Sequence, residues 1–352
     1  MPTAIPAFTA TAIGSLPYSS PDQALDLIFS SIPGCPIWPQ LPKRGIREQM
    51  EIQYSEGLPC VVLDEEKGRM YFDTADEDGC AMAMGSFYEA YMAAEESGDW
   101  SAFAISEPYS AGIPAFERRL STQPVELLKV QTTGPLSIGL SIVDENKRSI
   151  YYNEAFRDVI VKGMIAKCRW QLQKFSSFAR TTICFVDEPI LSAFGSSTYV
   201  SVTRDDVVAI LSEMVEAIHE TGALCGVHCC GNTEWPLLID AGVDIINFDA
   251  YEFGETIALY PAQVKQHLER GGSLAWGVVP TSEKIFENSV SSLIAIYDRN
   301  VQRLADAGID MALIHDSSLI TPSCGTGSLS VEAAEKVFSL LGQTASALRE
   351  RS

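Results

Sequence analysis

Residues 223–230 read ALCGVHCC, an apolar run that becomes polar only at its carboxyl end. Because the run is continuous rather than alternating, it is typical of a parallel strand buried on both faces. Residues 203–222, just before it, repeat apolar side chains at helical spacing, with Thr203 and Asp206 placed as a capping box. A helix followed by a buried strand is the repeating unit of a parallel α/β sheet.

The same alternation extends along the chain, with a second clear helical pattern in residues 289–308. The strand-like segments are 8–15, 35–38, 127–135, 181–189, 223–230, 243–251, 273–281 and 317–325. Eight such segments predict a closed (β/α)8 TIM barrel that spans residues 1–352 as a single catalytic domain. Residues 60–124 interrupt the alternation, so we interpret them as an insertion in the first half that could cover one mouth of the barrel. It begins with a hairpin in 60–73.

Composition excludes several classes of protein. The formal charge of −21 disfavours nucleic acid, which needs a basic surface. No stretch has the roughly 20 apolar residues of a membrane span, and the first residues lack the pattern of a signal peptide. Nine cysteines without an export signal suit a reducing compartment, so we expect a cytoplasmic protein with free or metal-bound thiols.

Polar residues follow the predicted strands where the chemistry of parallel α/β folds is located. His228 and Cys230 are two residues apart, a spacing that directs both side chains to the same side of a strand end. Cys324 follows the last strand and would bring a second thiolate. Nitrogen and thiolate donors on separate loops are typical of a catalytic zinc site.

A purely structural interpretation of these residues also stays open, because free cysteines are often buried and inert. Packing accounts for Cys225 and Cys229, which point away from the proposed site or lie within the strand. The other three histidines are interpreted as satisfied polar groups: His219, His267 and His315. The residues alone therefore leave a choice between a metal site and a buried thiol cluster.

A set of motifs in a fixed order adds a resemblance. They are AIGSLP (12–17), TGP (133–135), FVDEP (185–189), His-x-Cys (228–230), an acidic strand end at 249 and PSCG (322–325). Together they resemble the C-terminal catalytic barrel of cobalamin-independent methionine synthase, in the short core form. The HCCGNT sequence also resembles the zinc motif of corrinoid-dependent coenzyme M methyltransferases, in the wider uroporphyrinogen-decarboxylase-like superfamily.

The resemblance implies zinc as cofactor and a role for each matching residue. His228, Cys230 and Cys324 match the zinc ligands, and Asp249 matches the fourth, exchangeable ligand, with Glu252 as the alternative. Asp187 matches the aspartate that binds the ammonium group of the substrate. The substrate carboxylate would be bound by the turn formed by Ile13, Gly14 and Ser15.

Departures from the family concern the methyl donor. The second barrel that helps bind folate is missing, the loop 276–284 contains no histidine, and GTGSLS after Cys324 contains no basic residue. The resemblance therefore implies an S-methyltransferase of methionine biosynthesis that takes its methyl group from methylcobalamin or a corrinoid protein. Its acceptor would be homocysteine.

Zinc would serve such a reaction because the thiolate is the nucleophile, and a free thiol with a pKa near 8.5 is mostly protonated at neutral pH. Three other functions compete: a methyltransferase with coenzyme M or another thiol as acceptor, a zinc protein that docks a corrinoid carrier without turnover, and a metal-free uroporphyrinogen decarboxylase. The decarboxylase would need arginines at the mouth, and Arg44 and Arg47 are the clustered candidates.

Overall fold

The computed structural model describes residues 5–196, 199 and 201–351. The strands are β1 Thr9–Ala10, β2 Val61–Asp64, β3 Arg69–Phe72, β4 Val125–Thr133, β5 Ala179–Asp187, β6 Leu224–Cys229, β7 Ile245–Phe248, β8 Ser273–Val279 and β9 Ser318–Pro322. The helices are α1 Pro21–Ser31, α2 Met50–Ser55, α3 Glu77–Ser97, α4 Gly112–Thr122, α5 Pro135–Ser141, α6 Glu154–Phe175, α7 Arg204–His219, α8 Pro236–Asp240, α9 Pro261–Glu269, α10 Val290–Asp306, α11 Met311–Asp316 and α12 Val331–Arg351.

Seven strands form one parallel sheet in the order β1-β9-β8-β7-β6-β5-β4. Each of the seven lies within or across a segment predicted as a strand, and helices separate most of them along the chain. The predicted α/β class with a parallel, TIM-barrel-like sheet is therefore confirmed.

The predicted second strand, residues 35–38, is wrong as a regular strand. This segment lies between the two sheet edges and makes one isolated parallel bridge to β4, at Ile37 and Lys129. A further isolated bridge joins Ser15 and Gln40. Pro36 and Pro39 have no N–H to donate, so a continuous ladder cannot form here. The parallel sheet thus has seven regular strands in the described residues, and the irregular segment 35–38 occupies the position of an eighth.

The sheet is curled, because one small apolar cluster collects side chains from six of its strands. The cluster also includes a residue of the irregular segment. Its buried members are Cys35, Leu127, Ile183, Phe185, Leu224, Ile245, Ala275 and Leu319. Since alternate residues of a strand share a face, the residues two and four positions further along these strands also point inward. The site residues of β5, β6 and β7 lie on that inward face.

The two helices predicted most clearly from the sequence are confirmed. Helix α7 begins after Thr203, whose hydroxyl accepts the Asp206 N–H while the Asp206 carboxylate accepts the Thr203 N–H. Helix α10 begins with a similar reciprocal cap at Ser289. The α7 helix ends at His219, and Gly222 adopts a left-handed φ of 82° in the following turn.

Residues 60–124 contain the predicted hairpin, β2 and β3, followed by α3 and α4. Phe72 at the end of the hairpin donates its N–H to the Val143 carbonyl, at 3.0 Å. Tyr88 of α3 donates to Asp158 of α6, at 2.5 Å. The inserted segment therefore packs against helix α6 and the segment that precedes it.

Glu188, which follows β5 directly, connects two of the sequence motifs. Its buried carboxylate accepts hydrogen bonds from the Leu136 N–H, the Ser137 N–H and the Ser137 hydroxyl at 2.7–2.9 Å. A Cβ at Gly134 would lie 2.0 Å from Glu188 Cδ. The glycine of TGP is thus required because the glutamate of VDEP packs directly against it.

None of the helices in the described part of the chain is both long and apolar enough to cross a bilayer.

The Gly134→Ala substitution should lower the free energy of unfolding by about 1–3 kcal/mol, since the added methyl displaces a buried, fully bonded carboxylate. Gly85→Ala is the matched control, because Gly85 is an exposed residue inside α3 with no atom near its added Cβ. The control should stabilise by about 0.5–1 kcal/mol. Denaturant unfolding of both variants measures the difference, and equal stabilities would contradict the packing argument.

Candidate metal centre

Three predicted ligands meet at the carboxyl ends of β6 and β9. His228, Cys230 and Cys324 each offer one ligand atom, and these atoms all lie within 4.8 Å of one another. Cys324 comes from a turn 94 positions along the chain from Cys230, so only the curl of the sheet brings the two thiols together. Among the described residues, these three are the one group of histidine, cysteine or acidic side chains placed closely enough to hold a metal ion.

The His228 ring is held in one orientation and one tautomer by Asn247. His228 and Asn247 are paired neighbours on β6 and β7, and His228 Nδ1 lies 2.6 Å from Asn247 Oδ1. The Asn247 amide donates to the Ala275 carbonyl and to the Thr321 hydroxyl, both at 2.8 Å. A backbone carbonyl can only accept, so Asn247 Oδ1 must face the histidine and Nδ1 must carry the proton.

In the neutral imidazole, Nε2 is therefore the nitrogen that carries the free lone pair. This atom is buried and makes no hydrogen bond, although buried ring nitrogens normally find a partner. A neutral imidazole whose other nitrogen donates to an oxygen is the arrangement of metal-binding histidines. The orphaned nitrogen, together with two thiols, fits a zinc ion by donor chemistry and by donor number.

The two thiols differ in acidity. Hydrogen bonding to the Cys324 thiol, and to the His228 ring when its Nε2 is protonated, lowers the pKa of Cys230 to about 4. The pKa of Cys324 is raised, because a proton shared with the Cys230 thiolate and burial both favour its neutral form. The first thiolate thus opposes ionisation of the second, and a dication between them would reverse that effect.

Asp187 lies beside the cluster and lines the same cavity. It is paired with His228 across β5 and β6, and its buried Oδ1 has no hydrogen-bond partner. Burial raises the pKa of Asp187 to about 6, while His228 and Lys129 oppose that rise. A buried carboxylate oxygen without a donor is an acceptor available to a ligand.

The fourth predicted ligand, Asp249, lies outside the group of three clustered ligand atoms. Its Oδ1 accepts the N–H groups of Tyr251 and Glu252, both at 2.9 Å, and burial raises its pKa to about 6. The alternative, Glu252, is half exposed and bonds to Lys284 Nζ at 2.5 Å. Ligation by Asp249 stays a prediction.

A cavity of about 450 Å³ opens onto the cluster. Among the residues that line it are six of the predicted site residues: Ile13, Ser15, Asp187, His228, Cys230 and Cys324. Gly14 faces Gln40 instead, and its carbonyl accepts the Gln40 N–H at 3.0 Å. Ser15 joins the turn to the loop after Cys324, since its carbonyl accepts the Thr326 N–H at 2.8 Å.

The opposite wall of the cavity comes from residues 40–50, and no residue of 60–124 lines it. Glu48 of this wall was not predicted. It is 3% exposed; Oε1 accepts from Arg44 Nε at 2.7 Å, and Oε2 is buried without a partner. Burial raises the pKa of Glu48. The sequence signal was only an Arg-x-x-x-Glu spacing, which is common on exposed helices.

A second unpredicted residue is Lys129, which is buried in the curled sheet. Its Nζ donates to the Ile13 carbonyl at 2.9 Å and to Gln131 Oε1 at 3.2 Å, and lies 4.6 Å from the centre of the Phe185 ring. Burial lowers its pKa to about 8, and Asp187 opposes that change. Lys129 therefore holds the turn of residues 13–15 in place through its bond to the Ile13 carbonyl.

The residues set aside from the sequence are placed as expected. His219 bonds to Asp244 at 2.7 Å, buried His267 lies 3.3 Å from the Ser273 carbonyl, and the His315 ring packs against Phe8. Cys225 and Cys229 are completely buried.

The arginines required for a decarboxylase site have other partners. Arg44 bonds to Glu48 and to the Ser19 carbonyl, and Arg47 bonds to Glu65 through two nitrogens at 2.6–2.8 Å. These contacts do not favour a role in binding a multiply acidic substrate.

No family model matches the chain, and no curated protein matches it. Among solved structures, it is similar to a B12-independent methionine synthase from Shewanella sp. W3-18-1 in complex with selenomethionine, at 15% identity and a TM-score of 0.44, over 68% of this chain and 67% of that one. It is also similar to a protein assigned as a fructose-1,6-biphosphate aldolase from Coccidioides immitis, at 11% identity and a TM-score of 0.29, over 68% and 84%. A third is an endo-β-1,4-mannanase from Cellulomonas fimi, at 10% identity and a TM-score of 0.29, over 64% of each. With TM-scores below 0.5, none of these likenesses establishes a family or a function.

Replacing the partner of His228 should weaken metal binding without removing a ligand. Asn247→Leu removes the acceptor that keeps Nδ1 protonated, so zinc affinity should fall by about 10- to 100-fold. Competition with a chelator measures this affinity. The control is Gln171→Leu, which removes another buried amide, one that bonds to Trp38 and the Gln131 carbonyl. Equal zinc affinity in both variants would show that Asn247 does not orient a ligand.

Proposed function

We propose that the chain is a zinc-dependent S-methyltransferase that transfers a methyl group to the thiol of homocysteine. One observation carries the proposal: a buried, unbonded His228 Nε2 lies with two thiols at the base of a cavity, beside Asp187. His228, Cys230 and Cys324 would hold the ion. When bound, zinc supplies a Lewis acid that keeps a substrate thiol deprotonated at neutral pH.

The choice of acceptor rests on two carboxylates. Asp187 Oδ1 and Glu48 Oε2 are both buried, both lack partners, and both belong to residues that line the cavity. They would bind the ammonium group of an amino-acid thiol. Coenzyme M carries a sulfonate and no ammonium group, so these two carboxylates favour homocysteine over coenzyme M as the methyl acceptor.

The remaining residues would orient the substrate. The turn of Ile13, Gly14 and Ser15 would bind its carboxylate, supported from below by Lys129 Nζ on the Ile13 carbonyl. Homocysteine bound through both its ammonium and its carboxylate group would direct its sulfur at the thiol cluster. Such positioning can lower the activation barrier by several kcal/mol, and by about 7–11 kcal/mol in the best model reactions. Asp249 would be the exchangeable fourth ligand.

The donor is proposed on sequence departures alone. Because the loop 276–284 contains no histidine and GTGSLS after Cys324 contains no basic residue, we propose methylcobalamin or a methylated corrinoid protein as the methyl donor, which would dock at the cavity mouth. The reaction would take place in the cytoplasm, where thiols stay reduced.

Metal content and methyl transfer test the proposal together. The purified protein should hold about one zinc per chain and methylate homocysteine with methylcobalamin. His228→Ala and Cys324→Ala should lose both zinc and activity, whereas Cys229→Ala should retain both because its thiol lies within the packed strand. Elemental analysis and a methionine assay measure the outcome. Full zinc and activity in Cys324→Ala would overturn the assignment.

Asp187→Asn should raise the KM for homocysteine by about 10- to 100-fold, since a charged hydrogen bond to the ammonium is lost. Zinc content should stay at the wild-type value. With coenzyme M as acceptor, any activity should be weak and unaffected by this substitution. If zinc is lost instead, or if coenzyme M is the better acceptor for the wild type, the proposed role of Asp187 is wrong.

A further inference from the structure

Two cysteines outside the metal centre lie unusually close together. Cys60 Sγ and Cys80 Sγ are 2.6 Å apart, although both are free thiols in the structure. Cys60 directly precedes the hairpin strand β2, and Cys80 lies in the first turn of α3. Neither residue lines the cavity of the metal centre.

The backbone holds both cysteines in place through Asp73. The Asp73 N–H donates to the Cys60 carbonyl at 2.8 Å, and the Cys80 thiol donates to the Asp73 carbonyl at 3.3 Å. Cys60 is partly exposed, so a small oxidant can reach it, while Cys80 is 9% exposed. The pair thus has one accessible and one shielded sulfur, already in contact.

The conformation of Cys60 is a second, independent observation. Its φ is +61°, in the left-handed region that glycine adopts most easily. Residues other than glycine persist in that region when their surroundings impose it, often at sites where a side chain has a task. The thiol is what distinguishes cysteine from glycine at this position.

We propose that Cys60 and Cys80 are a site of reversible disulfide formation that ties the base of the hairpin to α3. The oxidant class is a low-molecular-weight disulfide such as oxidised glutathione. The Cys60 thiolate attacks one sulfur of that disulfide and forms a mixed disulfide with that glutathione, while the other glutathione leaves as a thiolate. The Cys80 thiolate then attacks Cys60 Sγ and releases a second glutathione thiolate. The two protons of the protein thiols protonate the two leaving thiolates, so the protein loses two electrons and the oxidant gains them.

The surroundings make this reaction slow at neutral pH. Burial, Cys80 and the carboxylates of Asp73 and Asp76 raise the pKa of Cys60 to about 12. Since the thiolate is the attacking species, the rate should increase with pH up to that value. The site therefore suits slow cross-linking rather than rapid redox sensing.

The cross-link would constrain the loop between two positions that are 20 residues apart. Closing a loop of this size removes conformational freedom from the unfolded chain. The oxidised protein should therefore unfold at a Tm about 5 °C higher than the reduced protein.

The test uses the zinc-loaded full chain incubated with oxidised glutathione at pH 8.5. After alkylation and proteolysis, mass spectrometry should find a peptide pair joined through Cys60 and Cys80, which a thiol reductant separates. Separate alkylated Cys60 and Cys80 peptides, or a stable glutathione adduct on Cys60 without the cross-link, would overturn the proposal.

Variants separate the cross-link from folding and from the proposed function. Cys60→Gly suits a φ of +61° and should fold as well as the reduced wild type, with no oxidant-dependent rise in Tm. Cys229→Ser is the matched control and should still form the Cys60–Cys80 link. Zinc content and methyl transfer of Cys60→Gly should equal those of the wild type, so failure of this proposal would leave the metal centre unaffected. An unchanged Tm rise in Cys60→Gly would show that another pair of thiols is responsible.

Discussion

The hydrogen bond between His228 and Asn247 determines which atom the site presents to a ligand. Asn247 cannot rotate, because its amide donates to a backbone carbonyl on one neighbouring strand and a hydroxyl on the strand beyond. The histidine therefore keeps a proton on Nδ1 and directs Nε2 at the two thiols. Four strands of the parallel sheet contribute to this orientation, so the donor atom is as rigid as the sheet itself.

The register of the strands explains how the donors and the substrate-binding groups become neighbours. Asp187 pairs with His228, and His228 pairs with Asn247, so inward-facing side chains of three strands lie in one row. Without a ligand this row is electrostatically unfavourable, since it buries a carboxylate beside thiols that can ionise. Lys129, below the row, offsets part of that charge. A cationic group in the cavity would offset more of it, which is the physical basis for expecting an ammonium-bearing substrate.

Much of this arrangement could be predicted from the sequence. Continuous apolar runs identified the strands, and polar residues at their carboxyl ends identified three residues that the structure brings together. The strand predicted at 35–38 failed because two prolines interrupt its ladder, a local effect that an apolar run conceals. Glu48 and Lys129 were missed because their role depends on burial. Glu48 lies outside the main helices and strands, and Lys129 stands where a buried strand would normally have an apolar residue. Asn247 was missed because a hydrogen bond between adjacent strands depends on register, which the sequence does not contain.

The proposed fourth ligand, Asp249, would illustrate how weak binding can be useful. Asp249 directly follows β7, two residues beyond Asn247, whereas Glu252 is half exposed and already bonds to Lys284. The Asp249 Oδ1 is bound by two backbone N–H groups of its own loop. Those two bonds would hold the carboxylate in its loop whether or not its other oxygen contacts a metal, so leaving the ion would cost it no hydrogen bond. In that respect a carboxylate held by its own loop suits an exchangeable position better than a third thiolate would.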